Sequence, residues 1–282
     1  MGGHTRDGLG VEVAFETAVV AEGGAVVARP IARPIARARV LTEDLGGGVS
    51  LEMVAVPGGR FLMGSPEGEG YDDERPRHEV SVEPFLIGRY PVTQAEWERL
   101  MGPPRSRFRG DRLPVEGVSW RLALEFCRRL SAATGRVYRL PSESEWESAC
   151  RAGSTAPFCF GDTLATDLAN YNGTFVYGRG AKGLYRHTTT AVGTFPPNAF
   201  GLCDMHGNLW EWVADAWHAC YDGAPTDGMP WAADPDSPRA SWGVLRGGSW
   251  HDEPASCRSA VRLRSRRSEG DELVGFRVAA SL

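Results

Sequence analysis

Lysine is nearly absent: Lys182 is the only one among 31 basic residues. An arginine bias of this kind is compositional and carries no functional signal by itself. No run approaches the roughly 20 consecutive apolar residues of a membrane-spanning helix. Met1 to Gly10 is polar and glycine-rich and lacks the apolar stretch of a secretory signal peptide. A cytoplasmic location is therefore the default expectation, with display at a cell or phage surface left open. The six cysteines (Cys127, Cys150, Cys159, Cys203, Cys220 and Cys257) form no Cys-x-x-Cys pair, and no Cys/His cluster has zinc-finger spacing. They are expected to be scattered buried thiols. P-loop, Gly-x-Ser-x-Gly and dinucleotide-binding patterns are missing. A net charge of -5 argues against general nucleic-acid or anionic-membrane binding.

What is present is an ordinary globular composition, 42% hydrophobic and 24% charged over 282 residues. That length buries a large core without staples. With 35 glycines and 9 tryptophans, the chain reads as loop-rich with aromatic anchors. Residues 1–48 stand apart as an N-terminal extension. Val11–Val20 and Ala25–Val27, separated by Glu22-Gly23-Gly24, suggest a hairpin. The tandem Arg29-Pro30-Ile31-Ala32 and Arg33-Pro34-Ile35-Ala36 suggests an extended linker or an edge strand. Its arginines (Arg29, Arg33, Arg37, Arg39) would suit a docking strip that could be removed without lowering the melting temperature of the remainder. Gly46-Gly47-Gly48 closes the extension as a joint.

From residue 49 a single α+β domain is expected. Leu51–Val56, Arg60–Met63 and Val80–Ile87 read as strands, and the acid-rich stretch Glu67–Glu79 as a solvated loop. Thr93 with Glu96 has capping-box spacing and starts a helix running to about Met101. Ser119 caps a second helix with an apolar face of Leu122, Leu124, Phe126, Cys127 and Leu130, ended by Gly135. Ser142 with Glu145 opens a third, through Cys150. After Gly153 no long helix pattern remains.

Several strings together resemble the formylglycine-generating enzyme, or sulfatase-modifying factor, family. They include Val56-Pro57-Gly58-Gly59-Arg60-Phe61, Arg139-Leu140-Pro141-Ser142-Glu143, Asn198-Ala199-Phe200-Gly201-Leu202, Gly207-Asn208-Leu209-Trp210-Glu211-Trp212, Arg246-Gly247-Gly248-Ser249-Trp250 and Gly275-Phe276-Arg277. They fall in the family's order over about residues 51 to 280. The resemblance implies a C-type-lectin-like fold of the formylglycine-generating subtype and is silent on residues 1–48.

Family membership leaves function open. Members include copper oxidases, iron-dependent sulfur-joining enzymes and non-catalytic binding proteins, among them the variable proteins of diversity-generating retroelements. In the oxidases two cysteines hold Cu(I) just after the Gly-Gly-Ser motif. Ser249 matches the motif serine, but the first cysteine position is Asp252 and only the second, Cys257, is a thiol. One carboxylate and one thiolate suit Cu(I) poorly. If the chain were an enzyme, Cys257, Ser249 and Asp252 would be its site. The iron-dependent members use histidines supplied largely by a separate helical domain, and no two of the six histidines here have the spacing of a helical ligand pair. The resemblance also implies structural calcium, held by the carboxylates of Asp204 and Glu211 and the carbonyls of Gly207 and Leu209. A second calcium site would begin at Asn170-Tyr171, but its later carboxylate position falls near Leu184.

Residues 246–277 match the family frame, while the slots between are chemically mixed: Trp250, His251, Asp252, Glu253, Ala255, Ser256, Val261, Leu263, Ser265, Arg266, Glu269, Asp271, Glu272 and Leu273. With no clean period among them, they are expected to share one exposed, ligand-binding surface of the retroelement variable-protein kind. Its ligand would be a protein or a glycan. A divergent metal-dependent oxidoreductase is the alternative.

Overall fold

The computed structural model describes residues 10–20, 30–32, 34–233, 236 and 239–282. The larger sheet has six strands in the spatial order β1 (Val11–Glu16), β4 (Ile35–Asp44), β5 (Ser50–Val56), β8 (Phe85–Gly88), β14 (Ala279–Ser281) and β9 (Tyr138–Arg139). All neighbours are antiparallel. The short strands β2 (Val19–Val20) and β3 (Pro30–Ala32) pair beyond β1 and β4. β6 (Gly59–Met63) and β7 (His78–Val82) form a separate ribbon. The second main sheet is β12 (Arg262–Arg266), β11 (Trp242–Arg246), β10 (Trp210–Ala216) and β13 (Val274–Phe276), with β13 parallel to β10.

The helices follow their local signals. α1 (Gln94–Met101) and α3 (Glu143–Arg151) each begin with a complete capping box, at Thr93/Glu96 and Ser142/Glu145. α2 (Trp120–Thr134) is capped by Ser119 and stops at Gly135, whose φ of 80° is the left-handed conformation that ends helices. Ala123, Phe126, Cys127 and Leu130 are its buried face. They pack with Leu51, Met53 and Leu86 of the larger sheet and with Trp212, Leu245 and Phe276 of the second. The core thus lies between the two sheets and under α2.

The extension differs from its sequence reading. Ile35–Asp44 is no linker but a ten-residue strand inside the larger sheet, paired with β5 from Val40↔Val54 to Asp44↔Ser50. Arg37 and Arg39 point outward while Ala38 and Val40 are buried. Alternation of arginine with small or branched residues is a half-buried strand pattern. Pro34 precedes the strand, so it costs no ladder bond. The hairpin partner of β1 is β4, and the expected turn at Glu22-Gly23-Gly24, the arm Ala25–Val27, Arg29 and Arg33 lie outside the described residues. Val80–Ile87 is likewise two strands in different sheets, broken at Glu83-Pro84. The acidic stretch is not wholly solvated, because Glu74 is fully buried.

Removal of residues 1–48 is therefore expected to lower the melting temperature of the remainder by about 10 °C or more, since β4 contributes core side chains. An unchanged melting temperature in a thermal scan would mean that β4 is merely appended.

Candidate functional site

Buried ion pairs position the loops around the family strings. Arg246 at the end of β11 has no exposure. It donates to the carbonyls of Ala260 (2.9 Å), Val261 (2.8 Å) and Ser259 (2.9 Å) and to the Glu147 carboxylate. Glu147 in turn accepts from Arg151 Nε (2.8 Å) and the Gly64 amide (2.9 Å). Arg262 pairs with Glu143 at 2.6 and 2.9 Å and lies 4.3 Å from the Tyr221 ring. Arg258 pairs with Glu74 at 2.9 and 2.7 Å. Arg277 grips Glu211 at 2.6 and 2.7 Å and donates to the carbonyls of Gly88 (3.0 Å) and Cys203 (3.1 Å). Buried charges persist only when paired and hydrogen-bonded, so these forks fix irregular backbone that has no ladder of its own.

Gly247-Gly248-Ser249 leaves β11 in left-handed conformations, with φ of 101° and 76° at the two glycines. A Cβ on Gly248 would stand 2.6 Å from Cys257 Sγ. The close approach therefore requires glycine and seats Cys257 beneath the loop. Asp252 Oδ2 accepts from the Ser249 amide (3.0 Å), the Ser249 hydroxyl and Trp210 Nε1 (2.9 Å). Cys257 is fully buried, its Sγ 3.8 Å from the Glu253 carbonyl. Burial, with the Asp252 carboxylate nearby, pushes its thiol well above the ordinary value. His206 braces the same loop, with Nδ1 2.8 Å from the Cys257 carbonyl and Nε2 accepting from the Cys159 amide at 3.0 Å. Burial lowers His206 to about 4, so it is neutral and structural. A single buried thiol with a carboxylate in the other ligand position is a mixed soft and hard donor pair, which suits Cu(I) poorly.

The expected binding residues are brought near one another only in part. His251, Glu253, Leu263, Arg266, Glu269 and Asp271 are exposed, and Asp252, Ala255, Ser256, Ser265, Glu272 and Leu273 half-buried. Trp250 and Val261 are buried, and Val261 belongs to the core. The positions on β12 also divide between two faces, because side chains alternate along a strand: Leu263 and Ser265 lie on one, Arg266 on the other. The single shared surface is corrected accordingly. Its apparent lack of period came from reading strand and loop positions as one series.

Around Trp250 the structure adds residues that the sequence reading missed. The Trp250 ring meets Phe108 edge-on at 5.6 Å and Tyr185 nearly parallel at 6.2 Å. His251 lies 5.5 Å from Trp250 and 6.2 Å from Tyr185. The His187 ring lies tilted against Tyr185 with centroids 3.7 Å apart, and His187 holds a φ of 57°, a conformation costly for a non-glycine residue. Arg107 pairs with Glu272, whose carbonyl accepts from Trp250 Nε1 at 3.5 Å. The result is a half-open aromatic patch rimmed by His187, His251 and the Arg107–Glu272 pair. Tyr185-x-His187, an aromatic pair in an otherwise polar stretch, was the one available signal in the sequence.

Among the expected calcium ligands, Glu211 has both oxygens engaged, by Arg277 and by Trp146 Nε1 at 2.8 Å. Asp204 differs. Its Oδ2 accepts from the Gly193 amide at 2.9 Å, while its buried Oδ1 has no partner among the described residues. Burial, with some help from Glu211, raises its carboxyl to about 6. Asn170 Oδ1, at the start of the second expected site, is also buried and unpartnered, whereas Leu184 is 64% exposed and offers no side-chain oxygen. Each site thus retains one orphaned hard oxygen, a feature that fits a cation. No group of three or more His, Cys, Asp or Glu side chains among the described residues is arranged to hold a metal, so such a cation would rely on backbone carbonyls.

Residues 48–282 match the sulfatase-modifying factor enzyme 1-like domain. The chain is 30% identical to the inactive C-alpha-formylglycine-generating enzyme 2 of Bos taurus, over 84% of this chain and 90% of that protein. The structure of PvdO from Pseudomonas aeruginosa is similar at a TM-score of 0.75 and 34% identity, over 86% of this chain and 98% of that one. Treponema denticola variable protein 1 is similar at a TM-score of 0.75 and 25% identity, over 86% and 99%. The α+β, loop-rich, C-type-lectin-like fold is that of these proteins. No helix among the described residues is long and apolar enough to cross a membrane.

A raised carboxyl pKa means that the folded state holds a proton the unfolded chain has released, so stability falls as pH rises from about 4 to about 6. Without divalent cations, Asp204→Asn should gain on the parent protein across that window by about 3 kcal/mol and then level off. Urea unfolding at a series of pH values measures this, and a difference that is flat with pH would count against a buried, uncompensated Asp204.

Proposed function

The chain belongs to the family of sulfatase-modifying factor enzyme 1-like domains, and on that footing we propose that it is a non-catalytic, ligand-binding member of the retroelement variable-protein type. The observation that carries this reading is the state of Asp252 and Cys257. One carboxylate oxygen, Asp252 Oδ2, is engaged by Ser249 and Trp210, and the single thiol, Cys257, is fully buried, so the pair lacks the two soft ligands that Cu(I) requires. The ligand site would be the half-buried Phe108 and Tyr185 over the buried Trp250, with a rim of His187, His251 and Glu272. Aromatic bodies with polar tips are the usual anchors of recognition surfaces. A structural calcium is part of the proposal. Asp204, with the carbonyls of Gly207 and Leu209, would hold it, and the ion would neutralise the buried carboxylate without taking part in any reaction.

Metal analysis of the purified protein should find calcium and neither copper nor iron in stoichiometric amount. Calcium at about 100 times its Kd should raise the melting temperature by roughly 5–10 °C, and Asp204→Asn should abolish the rise. Stoichiometric copper or iron that disappears in Cys257→Ser would favour a divergent metal-dependent oxidoreductase. Within the binding reading, a near-copy of the DNA for residues 246–277, differing mainly at adenines and lying beside a reverse-transcriptase gene, marks a variable protein. Without such a copy, a generic binding domain is left.

A further inference from the structure

β12 is an edge strand. It pairs with β11 on one side, and no strand among the described residues pairs with its other side. The Glu269 amide caps only the last carbonyl, at Arg266, at 2.9 Å. Alternate N–H and C=O groups of such an edge form a template for another strand.

The charge along this edge is of one sign. Arg264 and Arg266 lie on one face of β12 with their guanidinium carbons 5.5 and 5.2 Å from the Trp242 ring. Arg267, one residue beyond the strand, lies 4.3 Å from the Trp120 ring, and its Nε is buried without a hydrogen-bond partner. Arg264 and Arg267 make no ion pair among the described residues. Arg266 has only Glu269, at 3.9 Å, with both side chains more than half exposed (55% and 66%), a contact worth little. Asp215 lies close enough to act on Arg267 electrostatically, so in a chain of net charge -5 the local excess of positive charge rests on Arg264 and Arg266. Arginines on an edge also discourage pairing between copies. That purpose does not call for two tryptophans under the three guanidinium groups, Trp242 shared by Arg264 and Arg266 and Trp120 under Arg267, or for a buried, unpartnered Nε. Stacking on an indole holds the guanidinium plane in place before any partner arrives.

We propose that β12 is a docking edge for an extended acidic segment of a partner protein. The segment adds as a strand beside Arg262–Arg266 and sets alternate carboxylates against Arg264 and Arg266, with Arg267 at its end. Backbone pairing supplies affinity and the arginines supply sign and register. This surface is separate from the aromatic patch and does not depend on what that patch binds.

The test is fluorescence anisotropy of a labelled ten-residue peptide of alternating glutamate and threonine, titrated with the full chain. Saturable binding is expected, weakening about 10-fold between roughly 20 and 200 mM salt. The double variant Arg264→Ala/Arg266→Ala should bind at least about 10-fold more weakly. Both side chains are exposed, and an unchanged melting temperature verifies that the variant folds. N-methylation of the peptide at every second residue, tried in both alternations, should abolish binding in one of them, because the methylated amide no longer donates to the strand. No binding of the parent peptide at low salt, unchanged affinity in the double variant, or equal binding of both N-methylated peptides would each overturn the proposal. The last of these would reveal a plain polyanion patch.

Discussion

The pairing of Arg277 with Glu211 and of Arg246 with Glu147 is the interaction on which the rest of the structure depends. All four side chains are essentially unexposed. Each arginine also reaches backbone carbonyls, at Gly88 and Cys203 far away in the chain for Arg277 and at Ser259 and Ala260 in the following loop for Arg246. Removing one partner of a buried pair strands the other charge and costs about 3–5 kcal/mol. Regular hydrogen-bond ladders cover only part of this chain. Guanidinium forks perform the same service for the loops from Asp204 to Leu209 and from Ser249 to Val261.

The arrangement separates what must stay from what can vary. Frame residues Arg246, Gly248, Ser249, Cys257, Arg258, Arg262 and Arg277 are buried, and the four arginines among them hold carboxylates from other parts of the chain. His251, Glu253, Glu269 and Asp271 point outward between them. Their chemistry is unconstrained by packing, which accounts for the mixture of residue types seen in that segment. The aromatic patch sits where the frame brings three loops together, those of Phe108, Tyr185 and Trp250. Asp252, locked by Ser249 and Trp210, has become part of the frame.

Local signals were legible in the sequence and long-range pairings were not. The three helices were evident because Thr93/Glu96, Ser119 and Ser142/Glu145 carry their caps within three residues. The family strings supplied the lectin-like fold. The start of β4 reads as a linker or edge strand because Pro30 and Pro34, four residues apart, argue against a central strand, and the pairing of Val40–Asp44 with β5 is visible only in three dimensions. Glu74 read as solvated because its partner Arg258 lies 184 residues away. Trp250 and Val261 were assigned to the surface because their neighbours are polar, whereas the direction of each side chain is set by the frame. Phe108 has no motif to announce it and Tyr185 only the weak Tyr185-x-His187 pair, and only folding brings them to Trp250.

The central claim, a rigid buried frame carrying a replaceable surface, is tested most directly by replacing His251, Glu253, Glu269, Asp271 and Glu272 together with alanine and comparing melting temperatures with the single substitution Glu211→Gln. The account predicts a shift within about 2 °C for the five surface positions, whose contacts are exposed. For Glu211→Gln it predicts a fall of about 10 °C, from the charge stranded on Arg277. A comparable fall for the surface set, or none for Glu211→Gln, would contradict it.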